Sequence, residues 1–149
     1  MKHDIPDVPC PIERGLAVFG DHWTFLILRD AFRGTSRFAD FRTRLGIASD
    51  VLTERLAHLV EHGILTRDPY QEPGSRMRYD YHLTANGRAL KVVLGAMQQW
   101  GEQYLPRPES RHPVWRSRQS AQPLSVAFVD DTGYAVKQDE AALVPESSG

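Results

Sequence analysis

Between residues 47 and 83 the apolar period changes from helical to strand-like within a few positions, and this change constrains the fold more than any other feature. The stretch GIASDVLTERLAHLVEHGIL places Leu52, Leu56, Leu59 and Val60 on one helical face and leaves Asp50, Thr53, Glu54, Ala57 and His58 off it. The spacing predicts a helix over roughly Ser49 to His62, stopped by Gly63. Ile64 to Tyr70 then reads as a strand, and Pro73-Gly74 as a turn. After the turn, Met77, Tyr79, Tyr81 and Leu83 alternate with Arg78, Asp80 and His82, the period of a half-buried second strand. A helix with one polar face is thus followed at once by a hairpin that carries arginines.

Three shorter helices are expected upstream. Pro11 suits the first turn of a helix running to Phe19, with Glu13 complementing its dipole, Gly20 ending it, and Ile12, Leu16 and Phe19 sharing one face. Asp21 can cap a second helix to about Phe32, with Trp23, Leu26, Ile27 and Ala31 at helical spacing and Gly34 at its end. Ser36 is expected to cap a third, with Phe38, Phe41 and Leu45 inward and Gly46 closing it. The short link LGIA joins this helix to the next, which makes a helix-turn-helix. With the hairpin beside it, the plan is that of a winged helix, which presents one helix to a DNA major groove. Downstream, Thr84 can cap a long helix from Ala85 to about Tyr104. Leu90, Val93, Leu94, Met97 and Trp100, widened by Val92, Ala96 and Leu105, give that helix more apolar face than a small core needs, which implies a partner helix.

A chain of 149 residues suits one domain with a proper core, and 41% apolar with 25% charged residues is ordinary for a soluble protein. No apolar run is long enough to span a membrane, and MKHDIPDVPCPIERG lacks the apolar core of a signal peptide. The single cysteine, Cys10, has no internal partner, which suits a cytoplasmic location. The net charge of -1 argues against nucleic acid, but its distribution is uneven. Residues 33 to 91 carry ten basic and seven acidic side chains, and the last 44 residues five and six. The local patch matters more than the total.

Enzymatic chemistry finds little support. The histidines are scattered; His58 and His62 have a zinc-compatible spacing but lack the HExxH pattern and a third ligand, so they read as a solvated pair near a helix end. No phosphate-cradling or nucleophile-elbow motif occurs, and no cofactor is expected. Cys10 lies between two prolines just before a helix, where the dipole favours a thiolate, with Arg14 one turn on; it reads either as a redox sensor or as an inert packing residue. For duplex DNA, Ser49, Asp50 and Thr53 occupy the first turns of the helix that would read bases, and Asp50 is either an acceptor for a cytosine amino group or a helix cap. Arg42, Arg44, Arg55, Arg76 and Arg78 are the candidate phosphate contacts.

CPIERGLAVFGDHWTFLILRDAF, RFADFRTRLGIASDVLTERLAHLVEHGIL and RYDYHLTANGRAL with the following helix to QQWG, taken in this order, resemble the HxlR-type regulators, winged helix proteins near the MarR group. The resemblance covers about residues 9 to 105. It implies a cytoplasmic bacterial transcription regulator, more a repressor than an activator, acting as a homodimer on a pseudo-palindromic operator. The first and last helices would build the dimer, through Ile12, Leu16, Leu94, Met97 and Trp100. Some members sense oxidants or electrophiles through a cysteine at the position of Cys10, and a small-molecule effector is the other candidate signal. Asp50 departs from the amide or basic residue many relatives carry. The expected fold is therefore α+β, mainly α: a winged helix-turn-helix with N- and C-terminal dimerisation helices and a C-terminal β-hairpin tail. Residues 9–105 form the winged helix domain, 106–123 a linker rich in Pro, Arg and Ser, 124–143 a small hairpin around Asp130 to Gly133, and 144–149 a disordered tail. Two rival readings stand beside this one. One is a winged helix that binds protein without touching DNA; the other is a metal sensor of the ArsR kind, for which the sparse Cys and His offer few ligands.

Overall fold

A computed structural model describes residues 5–109 and 111–146. The expected tail beyond residue 146 lies outside the described residues. The chain divides into two compact units, 1–94 and 95–149.

In the first unit, α1 (Pro11–Phe19), α2 (His22–Phe32), α3 (Phe38–Leu45) and α4 (Ser49–Glu61) precede an antiparallel hairpin of β1 (Leu65–Tyr70) and β2 (Arg78–Leu83), then the short helix α5 (Ala85–Ala89). The Asp21 carboxylate accepts from the Trp23 amide and so caps α2. Gly46 and Gly63 take positive φ at the ends of α3 and α4, the left-handed stop expected at those positions. Ile27, Leu28, Phe41, Leu52, Leu56 and Leu59 are wholly buried, so α2, α3 and α4 meet in one core, which Ile64, Leu65, Tyr81 and Leu90 complete from the hairpin side.

Two local expectations change. Ser36 does not cap α3: Arg37 holds the N-cap position without a side-chain bond, and the Ser36 carbonyl accepts from the Tyr81 amide at 2.7 Å. The segment ahead of α3 therefore pairs with β2, through an Arg37–Asp80 bridge, and widens the sheet. The expected long last helix is broken at Leu90 into α5 and α6 (Lys91–Tyr104). Within α5 the Gly87 backbone lies so near the Ile64 carbonyl that a Cβ there would overlap it. The Thr84 hydroxyl accepts from the Gly87 amide and donates to the Gly63 carbonyl, which fastens α5 to the start of the hairpin. The buried Leu90 then ends α5, its amide donating back to the Gly87 carbonyl.

The second unit holds most of α6 and the C-terminal hairpin, with strands β3 (Phe128–Val129) and β4 (Ala135–Val136). The Asp130 carboxylate accepts from the Thr132 and Tyr134 amides and shapes the turn. Residues 106–123, read from sequence as a linker, include an ordered loop closed by an Arg116–Pro123 bridge. Gln99 of α6 pairs with Val126 in both directions, its amide nitrogen donating to the carbonyl (3.1 Å) and its oxygen accepting from the amide (2.8 Å). Gly95 permits this docking, since Val126 and Trp115 pass directly over it.

Candidate nucleic-acid interface

Burial of Leu52, Leu56 and Leu59 fixes the rotation of α4 and leaves Ser49, Asp50 and Thr53 exposed on its first two turns. Ala48 holds the N-cap position, so Ser49 and Asp50 are the first helical residues, and Asp50 is not the cap. The Thr53 hydroxyl donates to the Ser49 carbonyl at 2.8 Å, which ties it to its own helix.

A groove of about 1080 Å³ separates α3 and the start of α4 from the β1–β2 hairpin. Arg42 and Ser49 line it from the helical side, Arg76 and Arg78 from the hairpin side. Four of the residues singled out from sequence thus converge on one concave surface. Arg44, Asp50 and Thr53 are exposed but do not line this groove.

Arg55 stands elsewhere. Its guanidinium pairs with the Asp21 carboxylate at 3.1 Å and with Glu54 at 3.5 Å, and only 25% of its side chain is exposed. Burial alone would raise the Asp21 pKa. The Arg55 hydrogen bond and charge, with the Trp23 and Thr24 amides, outweigh it and hold the carboxyl below its ordinary value. Arg55 is a tie between α4 and the start of α2, not a free cation beside the groove.

Arg37, missed from the sequence, is the best-connected arginine of the hairpin region. It stacks over the Tyr70 ring at 4.4 Å, bonds Glu72 at 3.0 Å and approaches Asp80 to 3.6 Å. The Glu72 bond, followed by the charge of Tyr70, raises its pKa. The available signal was the acids of the hairpin, Asp68, Glu72 and Asp80, which match its three arginines in number. Arg67 likewise stacks on Tyr79 at 3.6 Å. Burial pushes the Tyr81 hydroxyl up, and the nearby Arg67 charge opposes it.

Cys10 is half-buried at the N-cap of α1 and makes no capping bond. Arg14, its suggested neighbour, donates instead to the Val8 and Pro9 carbonyls at 2.7 and 2.8 Å. Of the side chains expected at a dimer interface, Ile12 (67%), Leu16, Met97 and Trp100 are exposed, while Leu94 packs against the core. His58 and His62 stack edge to face at 4.5 Å, and His58 Nε2 lies 2.9 Å from the Val18 carbonyl.

The helix pair, the exposed α4 edge and the flanking hairpin define a winged helix. Residues 18–109 match the model of the HxlR-like helix-turn-helix family, and the chain belongs to that family. An uncharacterized HTH-type transcriptional regulator of Mycobacterium tuberculosis is 44% identical over 98 residues, 66% of this chain and 61% of the relative. The match thus spans less than two thirds of that relative's length. Among solved structures, PA1607, a candidate transcription factor, is 38% identical with a TM-score of 0.79 over 94% of this chain and 97% of its own. The redox regulator HypR in its reduced form is 32% identical with a TM-score of 0.57, over 63% of this chain and 92% of its own. Among the described residues, no helix is long and apolar enough to cross a membrane.

Proposed function

We propose that this protein is a transcription regulator that binds duplex DNA as a homodimer and represses by occluding its operator. The observation that carries this reading is the groove: Arg42 and Ser49 face it from the helical side, Arg76 and Arg78 from the hairpin side. Cations on both walls suit a strand of phosphates, and Ser49, Asp50 and Thr53 stand on the α4 edge that would meet base edges. Asp50 favours a cytosine amino group over any acceptor. Two copies would place two such edges in successive major grooves. For the dimer, the support is α1, which buries none of its own residues and exposes Ile12 and Leu16.

The test is fluorescence anisotropy with short duplexes at rising salt. The expected outcome is binding at low salt that falls linearly on a log–log plot. No retention on any duplex at low salt sinks the reading and favours a winged helix that binds protein alone. Redox control rests on one observation, the free half-buried Cys10 at the start of α1. It predicts that oxidant releases DNA from the native chain and not from Cys10→Ser; a variant that responds like wild type refutes it.

A further inference from the structure

A second cavity lies away from the DNA groove, where α1, α2 and α4 meet. It measures about 220 Å³ and has one apolar wall, formed by Leu16, Ala17 and Val18. Its polar lining is Asp21, Thr24, Arg55 and His58. Thr24 is 1% exposed, and its hydroxyl has no hydrogen-bond partner among the described residues. A buried hydroxyl without a partner is costly, so such a group in the wall of a cavity marks a place where a guest can be bound. The other polar side chains already have partners. Arg55 neutralises Asp21 at 3.1 Å, and His58 is bonded to the Val18 carbonyl at 2.9 Å. The cleft therefore offers no net charge, one open hydrogen-bonding position and an apolar wall.

We propose that this cleft binds a small uncharged molecule, one hydroxyl or amide head on a compact apolar body. The volume corresponds to about seven water-sized groups, which sets the size of the guest. The head would bond to Thr24 and the body would lie against Leu16 and Val18. An anion is disfavoured, because it would have to displace Asp21 from Arg55. Two of the lining side chains, Arg55 and His58, belong to α4, whose first turns carry Ser49, Asp50 and Thr53. A guest is thus in contact with the helix that reads DNA; this consequence, unlike binding itself, rests on the function proposed above.

The probe is benzyl alcohol, with toluene as the same body without the head, titrated into the isotopically labelled full chain without DNA. The amides of Leu16 to Thr24 and of Arg55 to His58 are expected to shift, and benzyl alcohol to bind about fivefold more tightly than toluene, as one hydrogen bond implies. Thr24→Val should abolish that preference and Thr24→Ser should keep it, with circular dichroism verifying the fold of each. Shifts scattered over the surface overturn the proposal. So does equal affinity for the two probes in the native chain, or an unchanged preference in a folded Thr24→Val. Because these measurements need no DNA, their failure is separate from failure of the DNA-binding reading. That second failure would appear only as absent duplex binding in the anisotropy assay.

Discussion

Replacing Arg76 and Arg78 together by alanine tests the groove most directly. Three arginines are available to phosphate on this face: Arg42, Arg76 and Arg78 line the groove. At about 0.9 counterions released per neutralised phosphate, the slope of log K against log salt is about -2.7 per protomer, and the double variant's about -0.9. Between about 50 and 200 mM salt the native chain would lose about 40-fold in affinity and the variant about 3.5-fold. Arg55 supplies the internal control. Its guanidinium is held by Asp21 and Glu54, so Arg55→Ala should leave the slope unchanged even if it lowers affinity by loosening α4. Anisotropy on one duplex at five or six salt concentrations reads all three slopes. An unchanged slope in the double variant removes the hairpin from the interface. An equal fall in Arg55→Ala would show that the Asp21 pair opens on DNA, and would refute the division of arginines made from the structure.

Gly87→Ala should destabilise the fold by about 1–3 kcal/mol, since its Cβ would overlap the Ile64 carbonyl; an unchanged urea midpoint would show that α5 shifts freely. Asp21 titrates below its ordinary value in the folded chain, so its contribution is present above the unfolded pKa and is lost as pH falls through the lower, folded one. The stability gap between native chain and Asp21→Asn should therefore be full at neutral pH and shrink below about pH 4, as followed by thermal melts; a gap independent of pH contradicts the Arg55 pairing. Ile12→Glu with Leu16→Glu should give monomers in sedimentation with stability within about 0.5 kcal/mol of a native monomer, because both side chains are exposed in the single chain. Persistence of a native dimer would move the interface off α1.

Most helix ends were legible because they depend on local chemistry. Asp21 caps its own helix, and Gly46 and Gly63 supply left-handed residues wherever they stand. Apart from Arg14, which turns back to the nearby Val8 and Pro9 carbonyls, the misreadings involve partners distant in sequence. Ser36 has the chemistry of a cap, but its carbonyl is taken by Tyr81, 45 positions on, and pairing with β2 sets the conformation ahead of α3. The helical pattern runs unbroken through Leu90 and gives no sign that α5 is docked on the start of the hairpin through Gly87 and Thr84. The same limit governs the site. Periodicity put Arg55 on α4 but could not show that Asp21 waits beside it, nor that Glu72 and Asp80 converge on Arg37.

The ties on α4 offer a route by which a small disturbance at the α1–α2 corner would reach the exposed first turns of α4. The helix has 13 residues and is about 20 Å long, a rigid body held on its inner face by Leu52, Leu56 and Leu59. Its flank is held by two polar contacts one turn apart, Arg55 to Asp21 and His58 to the Val18 carbonyl. The apolar contacts resist translation but have no preferred direction, whereas the two polar contacts fix the tilt. A tilt of about 10° around the far end would carry Ser49 by about 3 Å, from the helix length alone. That distance exceeds what a direct hydrogen bond to a base edge tolerates. Both flank contacts end on the α1–α2 corner, so any event that moves α1 (pairing with a second copy, oxidation at Cys10, or a guest beside Thr24) acts on the same two bonds. Weakening either one by substitution should therefore lower DNA affinity without altering the salt slope, the signature of misaligned base contacts with intact phosphate contacts.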